Sequence, residues 1–372
     1  MVRNFGIRIA AGMVAVLVMM TGLSSLLKMD AAQAEAASVH AVVSDVDELG
    51  NAKLSVDGDS LPGFEYGDAV ALVFSNGYEI HDVPYYDDFY GELGQTMLVN
   101  YMGGYRVAAQ NGDFVSFSGV KAENSVEISL EEKEKYRDVY EAFSMPIILE
   151  MEEGMAPEAF ANFRAVDTAE MADDVLYRSA SPVETKYGRM EVIGQLITQH
   201  EIQTILNITD SAEEMEEKRP WTDVIERMMQ EGKILFHPIS MNMYDESFQQ
   251  QLCEALKHMF EMEPPYLLHC SMGRDRTGVA CAILQALMGG TYEEIMDDYI
   301  LSFANFHGLD PDGAFYDPYR ERFDKMLVYL MGVESVEELT GDALRQGAWD
   351  YLKAGGISDE QIEEICCRLR GE

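Results

Sequence analysis

Positive charge is scarce in this chain: 27 lysines and arginines stand against 66 aspartates and glutamates in 372 residues, a formal net charge of −39. A surface so charged repels nucleic acid and anionic lipid headgroups, so no nucleic-acid partner is expected, and the excess reads as the solvated acidic coat of an exported protein. Cysteine is scarce too, and its five copies (Cys253, Cys270, Cys281, Cys366 and Cys367) all lie in the second half. An odd number without regular spacing makes no disulfide framework and no zinc site, and no metal or organic cofactor is expected. Long apolar runs are missing except for one near the start. Ile9 to Leu27 carries no charge, follows a basic stretch ending at Arg8 and precedes Lys28, with Ala32-Gln33-Ala34 behind it. That order predicts a signal segment over residues 1–34, cleavage after Ala34 and a secreted or extracytoplasmic protein. The run is close to the ~20 residues that span a bilayer, so the alternative is an uncleaved anchor over residues 9–27, the one membrane contact expected.

The chain is 47% hydrophobic, enough for two cores. Residues 38–130 read as a small all-β domain: short apolar runs (Val39 to Val43, Ala69 to Phe74, Thr96 to Tyr101, Tyr105 to Ala109, Ser125 to Ile128) alternate with turn signals such as Asp57-Gly58-Asp59, Ser75-Asn76-Gly77 and Asn111-Gly112-Asp113. This spacing predicts an antiparallel barrel or sandwich. The cluster Tyr85-Tyr86, Phe89-Tyr90 reads as one of its sheet faces. Residues 131–158 form a linker that begins with a charged helical stretch. From 159 to 372 the pattern is α/β. Strands are expected at Phe163 to Val166, Val175 to Arg178, Thr204 to Ile208, Ile234 to Ile239 and Tyr266 to His269, with helices between them, and everything beyond Met288 reads as helical.

The chemistry concentrates in Tyr266-Leu267-Leu268-His269-Cys270-Ser271-Met272-Gly273-Arg274-Asp275-Arg276-Thr277-Gly278, followed by the apolar run Val279 to Met288. This is a buried strand, a tight loop and a helix start. If the loop curls around an anion, its N–H groups, the Arg276 fork and the Cys270 sulfur all face the centre: a phosphate cradle with a nucleophile at its base. A thiol at a helix N-terminus beside a guanidinium titrates at roughly 3.5 to 7.5 and attacks as thiolate. The planar Arg276 fork matches two phosphoryl oxygens, Gly273 lets the backbone approach closely, and the Thr277 hydroxyl can donate to the sulfur. Ser271, Met272, Gly273, Arg274 and Thr277 are the expected substrate-binding positions. In so acidic a chain, an island of Arg274, Arg276 and Arg178 stands out as the anion site.

The loop resembles that of the cysteine-dependent tyrosine and dual-specificity phosphatases, His-Cys, five residues, then Arg and Ser or Thr. It is most similar to a bacterial branch reading His-Cys-x-Ala-Gly-Lys-Asp-Arg-Thr-Gly, with Met272 here for Ala and Arg274 for Lys. Leu176-Tyr177-Arg178-Ser179 and Asp298-Tyr299-Ile300-Leu301-Ser302 resemble further elements of that family. The resemblance implies a tyrosine-phosphatase-like central sheet flanked by helices, with a helical C-terminal extension. It also implies phosphomonoester hydrolysis on a phosphorylated protein or a phosphoinositide, and Arg178 near the substrate. For the proton donor it offers Asp275, within the loop, and Asp245, where other phosphatases carry a mobile acid loop, although no Trp-Pro-Asp occurs there. Asn207-Ile208-Thr209 departs from the family's Asp-Leu-Arg. The 38–130 domain resembles the C-terminal barrel of the S-adenosylmethionine hydroxide adenosyltransferases, through Asp45 to Asn51, Gly63 to Asp68 and Ala108 to Asp113. The catalytic half of those enzymes is absent, which leaves docking, ligand binding or a spacer role. A reading from another class is a silent phosphate-binding or surface-docking protein.

Overall fold

The computed structural model describes residues 38–56 and 61–372. The expected signal segment, and the turn at Asp57-Gly58-Asp59, lie outside the described residues. The chain divides into two compact units between Tyr140 and Glu141.

The first unit is a closed barrel of seven strands, β1 (Ser38–Val46), β2 (Ala52–Val56), β3 (Ala69–Phe74), β4 (Glu79–Tyr86), β5 (Thr96–Tyr101), β6 (Gly104–Ala109) and β7 (Ser125–Glu132), in the order β1-β2-β6-β5-β4-β3-β7. Closure leaves no unpaired edge. Period-two alternation fills its interior: Ala41 and Val43, Leu54, Val70 and Leu72, Leu98, Val107, and Val126 and Ile128 form one apolar cluster. The barrel is not wholly antiparallel, because β4 and β5 pair in parallel through Tyr85 with Leu98 and Tyr86 with Val99. β4 escapes sequence reading because it opens on Glu79-Ile80-His81-Asp82 and contains Pro84. Asp82 takes a left-handed φ of 58° where the β3 register shifts between Val70 and Leu72, which absorbs the irregularity.

The second unit is built on a five-stranded sheet of β8 (Arg164–Ala165), β9 (Leu176–Ser179), β10 (Thr204–Asn207), β11 (Ile234–Phe236) and β12 (Tyr266–His269), in the order β11-β10-β12-β9-β8. All neighbours are parallel except β8 with β9. A buried parallel sheet needs apolar residues on both faces, and β12 supplies them. Tyr266 and Leu268 pack into one cluster with the helices Glu246–Phe260 and Asp275–Leu287, while Leu267 packs into the other with Met190–Gln199 and Asp223–Gln230. The helix Asp275–Leu287 is buried from Arg276 through Leu287, so it has no polar face and reads as a central core helix. Tyr292–His307, Tyr316–Met331, Gly341–Ala354 and Asp359–Leu369 add the C-terminal helices. No helix among the described residues is long and apolar enough to cross a membrane.

Candidate active site

β12 is the central strand, so its carboxyl end opens between those of β9 and β10, where parallel sheets present ligands. His269 pairs with Ser179 on one side and Asn207 on the other. The loop 270–274 leaves from there, and both neighbouring strand ends hold it. Ile208 N–H donates to the His269 carbonyl at 3.1 Å, and Ser181 N–H to the Ser271 carbonyl at 3.1 Å.

The loop's remaining carbonyls are taken from outside. Asn162 Nδ2 donates to the carbonyls of Met272 and Gly273, both at 3.1 Å, Arg178 Nη2 donates to Gly273 at 2.8 Å, and Gly278 N–H donates to Arg274 at 2.8 Å. With the carbonyls turned outward, the N–H groups of residues 271–276 have no acceptor among the described residues. This arrangement of successive amides is an anion-binding concavity. Gly273 is required where it stands: its φ is +64°, and a Cβ there would lie 1.9 Å from the Ser179 carbonyl oxygen.

Cys270 sits at the base of the loop, 3% exposed. Arg276 is held through one arm only. Its Nη1 donates to the carbonyls of Ile208 (3.2 Å) and Ile239 (3.0 Å), while Nε is buried without a partner among the described residues. The hydroxyl of Thr277 is likewise buried and unpartnered. A guanidinium clamped by two carbonyls, one after β10 and one after β11, keeps its other edge aimed in a fixed direction.

Two of the expected substrate contacts are engaged within the protein. Arg178 is fully buried, and it donates to the Gly273 carbonyl, to Ser302 Oγ at 3.2 Å and to the Asp298 carboxylate. It braces the loop through the Gly273 and Arg274 carbonyls. Arg274 donates through Nε to Asp275 Oδ2 at 3.0 Å, through Nη1 to His307 Nε2 at 2.9 Å, and stacks over the Phe303 ring at 4.7 Å. Its backbone belongs to the cradle; its side chain is spent within the protein. His307 Nδ1 meets the Met145 carbonyl at 2.9 Å, so it carries the proton and leaves Nε2 as acceptor. Burial and the adjacent Arg274 push the His307 imidazole down to about 4. Met272 packs its side chain on the apolar cluster that contains Leu267.

The two acids also stand apart. Burial raises the Asp275 carboxyl, but the guanidiniums of Arg274, Arg322 and Arg276 outweigh it and hold the group below the usual carboxylate range. Asp245 is the N-cap of Glu246–Phe260, accepting from Ser247 N–H at 2.7 Å, and backbone and side-chain hydrogen bonds from Ser247 lower its pKa as well.

Sequence reading reached Arg178, Asp298 and Ser302 through the family resemblance and missed Asn162, Arg164 and Asn305. Arg164 donates to Asp298 Oδ1 at 2.6 Å and to Asn162 Oδ1 at 2.7 Å, Asn305 Nδ2 donates to the same Asn162 oxygen at 3.0 Å, and Asp298 joins Arg164 to Arg178. A signal was present at two positions: Arg178 interrupts an otherwise apolar buried strand, and Asn162, at φ 51°, follows the short helix Pro157–Ala161 as a left-handed cap.

Comparison with known proteins places a match to the tyrosine phosphatase family over residues 158–371. No curated protein matches. Among solved structures, an uncharacterized conserved protein from Thermotoga maritima is 21% identical over 24% of this chain and 35% of its own, at a TM-score of 0.22. This chain thus spans about a third of that protein's length. The core catalytic domain of the PP-IP phosphatase SIW14 from S. cerevisiae, in complex with citrate, is 20% identical over 46% of this chain and 94% of its own, at 0.28. A second structure of the Siw14 catalytic core is 20% identical over 45% and 96%, at 0.26.

Proposed function

Since the chain belongs to the tyrosine phosphatase family, we propose that its second unit hydrolyses phosphomonoesters through a phosphocysteine at Cys270, acting on phosphorylated proteins as a tyrosine or dual-specificity phosphatase. The observation that carries this reading is the concavity of outward carbonyls and unpartnered N–H groups over residues 271–276, closed by the unpartnered edge of Arg276. A phosphoryl group seated there accepts from the amides and from Arg276, which hold the charge that spreads over its oxygens in the transition state.

In the first step Cys270 Sγ attacks phosphorus in line, the P–O ester bond breaks, and the leaving oxygen takes a proton from Asp275. In the second, water gives a proton back to Asp275 and its oxygen displaces the sulfur, releasing inorganic phosphate and restoring the thiolate. Asp275 is ionised in the free protein at neutral pH. A bound phosphate dianion offsets the three guanidiniums that hold it so, which raises its affinity for the proton it must donate. Asp245 stays a helix cap in this reading. Thr277, whose hydroxyl has no partner among the described residues, donates it to the sulfur as the phosphocysteine breaks.

Arg274 bears on the substrate. A free second cation in the loop would favour a ligand with several phosphates, and the pairing of Arg274 with Asp275 and His307 removes that argument, leaving a phosphotyrosine-type monoester as the simpler substrate. We also place the enzyme outside the cytoplasm, because of the apolar run at 9–27 and Ala32-Gln33-Ala34. A mature N-terminus at Glu35, read by mass spectrometry, is the check.

The experiment is turnover of para-nitrophenyl phosphate by wild type, Cys270→Ser and Arg276→Lys. Both variants are expected to lose nearly all activity, with Cys270→Ser still binding phosphate. Wild-type rates in the Ser variant would overturn the mechanism. A phosphopeptide panel set against inositol phosphates then decides the substrate class.

A further inference from the structure

The β barrel carries a cavity of its own. It measures about 440 Å³ and is lined by the rings of Phe64, Tyr66, Tyr85, Tyr105 and Tyr140 together with Asn100. Small-molecule sites span roughly 300–1,000 Å³ and are walled mostly by apolar and aromatic groups with a few placed polar ones, and this cavity fits that description. Its rings do not plug it. Tyr66 stands 4.8 Å from Tyr85 and 5.4 Å from Tyr140, tilted by 48° and 37°, while Tyr85 lies nearly parallel to Tyr105 at 6.4 Å. Rings splayed in this way offer both faces and edges to one flat guest, the two geometries in which aromatic pairs attract.

One polar group gives the cavity a direction. Asn100, on β5, donates from Nδ2 to Tyr66 Oη at 3.1 Å, which fixes the amide, and its Oδ1 is buried without a hydrogen-bond partner among the described residues. A buried amide oxygen without a donor is unfavourable unless something supplies one. The rim holds one acid and one base, Glu65 and Arg137, so the surroundings do not select a guest of either charge.

We infer that this cavity binds a small, neutral, planar aromatic molecule bearing one ring N–H, the ring lying against the tyrosines and the N–H donated to Asn100 Oδ1. The inference concerns the barrel alone and stands whether or not the second unit is a phosphatase. Indole is the probe, titrated calorimetrically into the full chain. Benzofuran, the same bicycle with oxygen in place of the N–H, is the control. Saturable 1:1 binding of indole is expected, with benzofuran weaker by about 2- to 12-fold, the worth of one neutral hydrogen bond. Asn100→Leu should bring the two ligands level, and Tyr66→Ala, at a partly exposed position outside the strands, should weaken both, indole at least as much as benzofuran because the Asn100 amide also loses its anchor. The proposal is overturned if indole shows no saturable binding, if benzofuran binds wild type as tightly as indole, or if Tyr66→Ala leaves both affinities unchanged.

Discussion

Asp298→Asn tests the account of how the phosphate loop is held. The carboxylate accepts from Arg164 Nε at 2.6 Å on one oxygen and from Arg178 on the other, and the three side chains are 13%, 14% and 0% exposed. Burial raises its pKa, and the two guanidiniums reverse that and pull it below the ordinary carboxylate range. The stability it contributes is therefore present above about pH 4 and lost as pH falls through the lowered value. Asparagine keeps the shape and removes the charge, leaving two buried cations uncompensated. Breaking one buried pair costs about 3–5 kcal/mol. The lower end applies, because Arg178 retains the Gly273 carbonyl and Arg164 retains Asn162 Oδ1. About 3 kcal/mol in a unit this size is a fall in Tm of roughly 6–12 °C. Calorimetry should show it in the transition of the unit Glu141–Glu372, with that of the barrel unmoved. Because Arg178 also anchors Gly273, kcat/KM on an aryl phosphate should drop about 10- to 100-fold, as expected when a cradle shifts by a fraction of an ångström to one ångström. A variant that melts within about 1 °C of wild type and keeps its turnover would refute the bracing role of the triad.

Gly273→Ala adds a Cβ 1.9 Å from the Ser179 carbonyl at a left-handed φ, so activity should fall at least about 100-fold while the far-UV spectrum stays native; near-normal kcat/KM would show a loop able to rebuild. His269, lowered to about 4 chiefly by burial, and His307, also at about 4, are neutral when folded and take up protons on unfolding. Their contribution is full above about pH 6.5 and shrinks as pH falls toward about 4, by up to about 3 kcal/mol each, so denaturant midpoints should decline across that window and His307→Gln should flatten the decline. If Asp275 is the acid, Asp275→Asn slows esters with poor leaving groups far more than para-nitrophenyl phosphate, whereas Asp245→Ala lowers stability slightly through the lost cap and discriminates between no esters; the opposite pattern would exchange the two roles.

The parts of the site legible in the sequence are those contiguous in it. Tyr266 to Gly278 declares strand, loop and helix because four buried strand residues, a glycine and an apolar run follow one another without a gap. The helices Gly341–Ala354 and Asp359–Leu369 fall in the stretch that reads as helical, and the second is marked at its start by the capping box of Ser358 and Gln361. Barrel strands with clean alternation were equally plain, whereas β2 has only five residues and β4 hides behind three polar or charged positions and a proline. The partners of Arg274 are hidden for a related reason. Its sequence neighbours show a cation beside a cation, and only the return of the helix Tyr292–His307 brings Phe303 and His307 against it.

How the bracing set comes together lies beyond any local reading. Asn162, Arg164, Arg178, Asp298, Ser302 and Asn305 are spread over more than a hundred positions, and each is a residue type that usually faces water. Taken together they obey a constraint the loop imposes. For successive N–H groups to point at one anion, their carbonyls must point away from it, into the protein, and every buried carbonyl must find a donor. Four of the loop's carbonyls, those of Ser271, Met272, Gly273 and Arg274, are met by side-chain or main-chain donors from Asn162, Arg178 and Ser181, and the charge this brings inside is balanced in part by Asp298. Counting Arg164, Arg178, Arg274, Arg276 and Arg322 against Asp275 and Asp298 leaves an excess of three positive charges among these residues, in a chain whose net charge is −39. That local excess is largely buried and screened little by salt, so it sets the affinity of the loop for phosphate, while the acidic surface around it slows the approach of anionic substrates and makes their association faster as ionic strength rises.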